Sequence, residues 1–123
     1  MVVDNEIKQS EGRIQQEAVI WYNNAFCLAT CRPRCLVFAV PNAYAQSQVG
    51  VGVLKGVADV MIIHRTVDNA ECRVLFVEVK TPEGRQSPAQ QEFERRIKEM
   101  GPPFEYHVIR SVENLKEIIG NGN

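Results

Sequence analysis

Several signatures of common protein classes are absent from this sequence of 123 residues. No apolar stretch approaches the ~20 residues needed to span a bilayer, and the N-terminus has no signal-peptide pattern. We therefore expect a cytoplasmic protein with no membrane partner. The sequence also lacks a glycine-rich phosphate loop, a G-x-S-x-G elbow and an H-E-x-x-H motif. Their absence excludes the common NTPase, α/β-hydrolase and metalloprotease classes that use these motifs.

An excess of either charge is missing as well. The chain has 14 Lys and Arg residues against 15 Asp and Glu residues, which gives a net charge of −1. Nucleic-acid-binding proteins usually carry a basic excess, so the charge argues mildly against that partner. A metal-dependent nuclease is a partial exception, because its site is acidic and the bound cation offsets the deficit. The length predicts one globular domain over residues 1–123.

Cysteine is scarce, and its spacing does not favour metal binding. Cys27, Cys31 and Cys35 are four residues apart, Cys72 stands alone, and no C-x-x-C pair occurs. Pro33 interrupts any helical register between the first three. In a cytosolic chain, reduced and buried thiols are the favoured interpretation. A cysteine-held metal or iron–sulfur cluster remains the alternative.

The hydrophobic pattern predicts an α/β fold with the element order αβββαβα. Apolar residues that recur about every 3.6 positions indicate helices. Short β-branched runs bounded by Pro, Gly or Asn indicate strands. The predicted elements are a helix over 10–30, strands over 35–40, 57–64 and 73–80, a helix over 88–100, a strand over 105–110 and a helix over 112–119.

The first helix carries an apolar stripe that is extended by polar residues. At spacings of three and four, the stripe comprises Ile14, Ala18, Trp21, Ala25 and Leu28. Toward the N-terminus the stripe passes through Glu11, and Gln15 lies beside Ile14, so a carboxylate and an amide are predicted to continue the buried face. The alternative is helix-start chemistry, since an acid in the first turn complements the helix dipole.

The second helix begins with a compact capping signal. Ser87 is a predicted N-cap, Pro88 follows at the first helical position, and Gln90 completes a capping box. The apolar face predicted for this helix consists of Phe93, Ile97 and Met100. Gln90 lies one turn earlier on that face and is therefore predicted to point inward. The pairs Glu92–Arg96 and Glu94–Lys98 are predicted to form a solvated face.

The middle strands place three charged residues together. A hairpin turn at Asp68–Asn69 puts Asp59 directly opposite Glu78, with Cβ atoms about 5 Å apart. Lys80 shares the Glu78 face, because side chains alternate along a strand. Two adjacent carboxylates repel, so we expect a positive group between them. A divalent cation and Lys80 would both meet that need.

Hard divalent cations suit this arrangement. Mg²⁺ typically binds one or two carboxylates together with waters and phosphate oxygens, and Asp59, Glu78 and the backbone carbonyl of Val79 meet that requirement. Lys80 could polarise an attacking water or stabilise charge on a phosphate. The alternative for Lys80 is a surface lysine or a salt bridge to Glu78.

Several short motifs, taken in order, resemble one family. They are Glu11-x-x-Ile14-Gln15, Val40-Pro41-Asn42, Lys55-Gly56-Val57-Ala58-Asp59, Phe76-Val77-Glu78-Val79-Lys80 and Ser87-Pro88-Ala89-Gln90. From about residue 10 to residue 119 the chain resembles the VRR-Nuc domain, a branch of the PD-(D/E)xK nuclease superfamily. The resemblance implies a restriction-endonuclease-like αβββαβα core with a mixed four-stranded sheet flanked by helices.

The resemblance also implies a site and an activity. It implies Mg²⁺ or Mn²⁺ as the cofactor, phosphodiester hydrolysis in DNA, and Lys80 as the catalytic lysine. It implies that Glu11, Asp59 and Glu78 are acidic metal-site residues, that Gln90 lines the site and that Gln15 is a lesser neighbour. Two departures stand out: Ala58 replaces a frequent proline, and the segment between Asn42 and Gly56 is short and glycine-rich, which bears on substrate preference.

Small stand-alone members of this type, as in phages, resemble junction-resolving dimers. The expected function is therefore a divalent-metal-dependent DNA endonuclease, selective for branched or junction DNA and acting as a homodimer. The sequence leaves two alternatives open. One is a non-catalytic DNA-binding or assembly subunit with a nuclease-like fold, and the other is an exonuclease with a cysteine-bound cluster.

Overall fold

In the part of the chain that the structure describes, helices and strands follow one another in the predicted order. The structure, a computed structural model, describes residues 10–28, 35–41, 54–66 and 71–120. Their bounds are α1 Glu11–Tyr22, continued by a π-helical turn Asn23–Cys27, β1 Leu36–Ala39, β2 Val60–Arg65, β3 Cys72–Val79, α2 Pro88–Met100, β4 Phe104–Ile109 and α3 Val112–Gly120. The predicted α/β class and the order αβββαβα are confirmed.

The strands form one mixed sheet in the order β1-β2-β3-β4. The first three are antiparallel neighbours, and β4 runs parallel to β3. Val60 pairs with Val77, so the predicted register of the hairpin is confirmed and the next position, Asp59, faces Glu78. The predicted turn at Asp68–Asn69 lies outside the described residues.

Helices cover both faces of the sheet. Helices α1 and α3 pack on one face, over a core that includes Ile14, Ile62, Leu75, Val77, Ile109 and Leu115. Helix α2 packs on the opposite face, where Phe93 and Ile97 meet Tyr106 and Phe76. None of the described helices is long and apolar enough to cross a membrane.

The buried face of the first helix differs from the predicted stripe. Ala25 is exposed and Leu28 is 70% exposed, whereas Tyr22 is fully buried. Within α1 the buried residues recur every four positions, at Ile14, Ala18 and Tyr22. After Tyr22 the π-helical turn, in which the Leu28 N–H donates to the Asn23 carbonyl, shifts the register of Ala25 and Leu28. Phe26, four residues after Tyr22, then packs against the Tyr22 ring at 5.0 Å.

The start of α2 is as predicted, and its end is not. Ser87 accepts a hydrogen bond from the Gln90 N–H, the Gln90 side chain accepts one from the Ser87 N–H, and Pro88 opens the helix. The prediction that Met100 lies on the buried face is wrong, since its side chain is 57% exposed. Met100 is the last residue before Gly101, whose φ of 71° turns the chain away.

Candidate active site

Three predicted site residues meet at one end of the β2–β3 hairpin. The Val79 N–H donates a hydrogen bond of 2.8 Å to Oδ2 of Asp59. This bond holds the Asp59 carboxylate beside the end of β3. Glu78 and Lys80 share the α2 face of the sheet, and Lys80 Nζ lies 3.8 Å from Glu78 Oε2. The hairpin register and the strand pleat together assemble an acid pair with a lysine.

Glu78 is a buried carboxyl group with an incomplete set of partners. Its side chain is 1% exposed, and Oε2 accepts a hydrogen bond of 2.6 Å from Gln90 Nε2. Among the described residues, Oε1 has no hydrogen-bond partner. Burial and the nearby Asp59 charge raise the pKa of Glu78 to about 8, and Lys80 offsets only part of that rise. The site therefore favours a bound positive charge.

Gly56 brings the segment before Asp59 against the start of α2. It has a φ of 81°, a conformation that L side chains rarely adopt. A Cβ atom at this position would lie 2.2 Å from the carbonyl oxygen of Ala89 and 2.8 Å from the backbone nitrogen of Gln90. Glycine alone permits this approach, which fixes Asp59 relative to Gln90. The sequence contains this glycine next to Lys55, but its role depends on a contact 33 positions away.

Arg110 holds the loop that follows Lys80. Its Nη1 donates hydrogen bonds to the carbonyl oxygens of Thr81 at 2.6 Å and Gly84 at 2.7 Å. A Cβ on Gly84 would lie 3.4 Å from Cδ of Lys80, so this loop packs against the lysine stem. Sequence patterns gave no signal for Arg110, because a lone arginine at a strand end identifies no partner.

Gln86 and Tyr106 anchor the connection between Lys80 and α2. Nε2 of Gln86 lies 3.0 Å from the Tyr106 hydroxyl and 3.0 Å from Oε1 of Glu94. Burial, followed by the Glu78 charge, raises the pKa of Tyr106, so this hydroxyl stays neutral and can donate or accept. These polar residues were not predicted, since nothing in their spacing brings them together.

Glu11 lies at the periphery of the site. It is exposed in the first turn of α1, so the prediction that it continues the buried face is wrong. The helix-start alternative explains its position, because an acid there complements the dipole. Its charge still contributes to the raised pKa of Glu78, as the smallest of the causes. Gln15 is half-buried on the same helix.

The oxygen atoms at this site fit a divalent cation that takes only some of its ligands from the protein and the others from water or phosphate. Across the described ranges, no three His, Cys, Asp or Glu side chains are arranged as a metal cage. Asp59, the Oε1 atom of Glu78 and the Val79 carbonyl are nevertheless oxygen donors of the type that Mg²⁺ prefers. The unpartnered Oε1 is the observation that favours such a cation.

The cysteines are free thiols where the structure describes them. Cys27, Cys35 and Cys72 form no disulfide. Cys35 is buried, with Sγ 3.8 Å from Nδ1 of His64, as the buried-thiol interpretation predicts. Cys31 lies outside the described residues.

Comparison with known proteins identifies the fold. The sequence matches no family model and no curated protein. The structure is similar to a solved structure described as a VRR_NUC domain protein, with a TM-score of 0.66 and 21% sequence identity. The match covers 92% of this chain and 87% of that one. The predicted VRR-Nuc fold is therefore confirmed.

Proposed function

We propose that this protein is a divalent-metal-dependent DNA endonuclease that hydrolyses phosphodiester bonds. The observation that carries the proposal is the buried Glu78 carboxyl, which has one oxygen without a partner and lies beside Asp59 and Lys80. A fold similar to that of a VRR_NUC domain protein supports it. Mg²⁺ or Mn²⁺ is the proposed cofactor, and DNA is the proposed substrate.

Each site residue has a proposed role. Asp59, Glu78 and the Val79 carbonyl hold the cation, which supplies Lewis-acid activation of the phosphate when bound. Lys80 places its ammonium group where charge develops on the phosphate and orients the attacking water. Gln90 fixes the Glu78 carboxylate by its hydrogen bond. Glu11, at the periphery, orients water or a second cation.

In the proposed reaction, water replaces one sugar oxygen on the phosphorus atom. A water oxygen forms a new bond to phosphorus, and one phosphorus–oxygen ester bond breaks. The water proton passes to solvent, and the leaving sugar oxygen takes up a proton. The burial of Lys80, which is 8% exposed, keeps its ammonium group in a weakly screened environment next to the reacting phosphate.

Structure selectivity and dimerisation are the finer parts of the proposal. A homodimer carries two equivalent sites, as the cutting of both strands at a branched junction requires. The rival function is a DNA-binding or assembly subunit without activity. The retention of Asp59, Glu78 and Lys80 in one constellation argues against that rival.

Cleavage assays test this function directly. Supercoiled, linear and four-way-junction DNA are incubated with the protein in Mg²⁺, in Mn²⁺ and in chelator. We expect cleavage only with a divalent cation, and faster cleavage of the junction. Lys80→Ala and Asp59→Ala abolish cleavage while the circular dichroism spectrum stays unchanged. Equal cleavage in chelator, or by the Lys80→Ala protein, refutes the mechanism.

Oligomeric state is measured separately by sedimentation equilibrium. A dimer in solution supports junction cutting by paired sites, whereas a monomer at assay concentrations contradicts it. Lys116→Ala serves as a control variant, because Lys116 pairs with Glu113 on α3, on the opposite face of the sheet from Glu78. We expect this control to cleave at the wild-type rate.

A further inference from the structure

Most cations in the described part of the chain already have partners. Ion pairs or backbone hydrogen bonds engage Arg13, Arg73, Lys80, Arg95, Lys98, Arg110 and Lys116. Within the same ranges, four basic residues make no ion pair or side-chain hydrogen bond: Lys55, Arg65, Arg85 and Arg96. As far as the described residues show, no hydrogen-bonded partner keeps these four side chains from an external anion.

Two of these four line one cleft. Its volume is about 200 Å³, and its walls are formed by Leu54, Lys55, Ala89, Glu92, Phe93 and Arg96. Lys55 and Arg96 are both exposed. The acid among these residues, Glu92, accepts hydrogen bonds of 2.6 Å and 2.9 Å from Arg95 rather than from Arg96 as predicted. The Arg96 charge acts on Glu92 only through space, as a lesser cause of its lowered pKa. The cleft therefore presents two basic side chains and one acid that Arg95 already engages.

The cleft lies next to the candidate active site. Ala89 in its wall precedes Gln90, and Gly56, next to Lys55, packs against the Ala89 backbone. Arg96 is six residues beyond Gln90 on α2, which corresponds to about 9 Å along the helix axis. At about 3.4 Å of rise per nucleotide in one strand, that distance corresponds to roughly three nucleotides.

We infer that Lys55 and Arg96 form a phosphate subsite that binds the DNA backbone about three nucleotides from the cut. This inference rests on the proposed nuclease function and adds the point at which the substrate is held. The ligand is a nucleic-acid phosphodiester, in either a duplex arm or an unpaired strand. The subsite acts on affinity, since Asp59, Glu78 and Lys80 are not among the residues that line the cleft.

The first test measures binding without catalysis. Fluorescence anisotropy follows a duplex and a single-stranded oligonucleotide in chelator across a range of salt concentrations. For a duplex contact, Arg96→Gln and Lys55→Gln each reduce the slope of log K against log salt by about 0.9, and for a single strand by about 0.7. The corresponding loss of affinity is up to about eightfold at 0.1 M salt. A reduction found with only one of the two oligonucleotides identifies that oligonucleotide as the form of DNA that the cleft holds.

Lys98→Gln is the matched control. Lys98 lies on the same helix and carries the same charge, but it pairs with Glu94 at 2.7 Å and lies outside the cleft. Its removal leaves the salt slope at the wild-type value. All three side chains are exposed, so the variants are expected to fold normally, as circular dichroism verifies.

The second test locates the contact. Neutral methylphosphonate linkages are placed one at a time along the cleaved strand. A linkage about three nucleotides from the cut weakens binding to the wild-type protein and has no further effect on Arg96→Gln. Cleavage rates are measured across a range of DNA concentrations. We expect Arg96→Gln to keep kcat near the wild-type value and to raise KM.

The possible outcomes separate the two proposals. An unchanged salt slope in both variants, with normal cleavage, overturns the subsite and leaves the nuclease function intact. The absence of both DNA binding and cleavage in the wild-type protein overturns both. Polyglutamate that binds as tightly as DNA, and loses affinity in both variants, overturns the subsite in favour of an acidic protein ligand.

Discussion

Gln90 donates a hydrogen bond of 2.6 Å to Glu78, and its own amide oxygen accepts one of 2.8 Å from the Ser87 N–H. One side chain therefore caps the start of α2 and fixes the carboxyl group at the end of β3. The capping box is a common helix signal and explains the amide oxygen of Gln90. It gives no indication that the amide nitrogen binds Glu78. The start of α2 and the candidate site are mechanically coupled through this residue.

Replacement of Gln90 separates its two roles. Gln90→Glu keeps an acceptor for the Ser87 N–H, because glutamate also completes a capping box. It replaces the amide donor with a carboxylate against Glu78, so DNA cleavage should fall by at least tenfold. Ser87→Ala is the complementary change: it removes the cap at a cost of about 1 kcal/mol and leaves the Glu78 contact in place. Equal cleavage by Gln90→Glu and the wild type would contradict this role.

The raised pKa of Glu78 predicts a specific dependence of stability on pH. Glu78 is protonated up to about pH 8 in the folded state but has a usual value near 4.5 when unfolded. Between these values the folded state binds more protons, so the free energy of unfolding falls as pH rises. A tenfold change in proton affinity corresponds to about 1.4 kcal/mol, so the raised pKa sets an upper limit of about 5 kcal/mol for this group.

Urea denaturation between pH 4.5 and 8 measures this dependence. We expect Glu78→Gln to remove the decline seen in the wild type, because an amide of the same shape does not titrate. Glu83→Gln, which removes an exposed carboxyl group, should keep the wild-type profile. The prediction fails if wild type and Glu78→Gln show parallel profiles.

Divalent cations should reverse the pH effect. The cation binds the ionised form of Glu78, so protonation competes with binding and the apparent affinity rises with pH. Mg²⁺ or Mn²⁺ should therefore raise the melting temperature more at pH 8 than at pH 6. Thermal denaturation with and without chelator measures the change in melting temperature, and Asp59→Asn should abolish most of it. A change that persists in Asp59→Asn would place the cation elsewhere.

The sheet and the acid pair could be predicted from local patterns. Short β-branched apolar runs predicted the strands, and a turn placed midway between two of them predicted that Asp59 faces Glu78. Each step needs only the spacing within one hairpin. The apolar face of α2 likewise predicted the inward position of Gln90, which lies one turn before Phe93 on that face.

The remaining contacts depend on tertiary structure. Arg110 reaches the carbonyls of Thr81 and Gly84 only because β4 lies parallel to β3, a pairing between elements far apart in sequence. The π-helical turn after Tyr22 similarly arises where aromatic packing decides the register. Residue spacing alone contains no information about either.

Gly56 provides the clearest test of how the site is positioned. An alanine would combine an unfavourable φ of 81° with a Cβ 2.2 Å from the Ala89 carbonyl oxygen. The strain and the overpacking together should cost about 2–4 kcal/mol in the free energy of unfolding. Gly12→Ala is the matched control, because its Cβ would have nothing closer than 3.9 Å and should stabilise α1 by up to about 1 kcal/mol.

Urea denaturation of the two variants gives the free energies, and cleavage at a temperature where both are folded gives the effect on the site. Gly56→Ala should lose activity beyond its loss of stability, since the segment leading to Asp59 can no longer contact the first turn of α2. Gly12→Ala should keep wild-type cleavage. Wild-type stability in Gly56→Ala would show that the segment before Asp59 does not rest against Ala89, and the coupling of Asp59 to Gln90 through this contact would then be wrong.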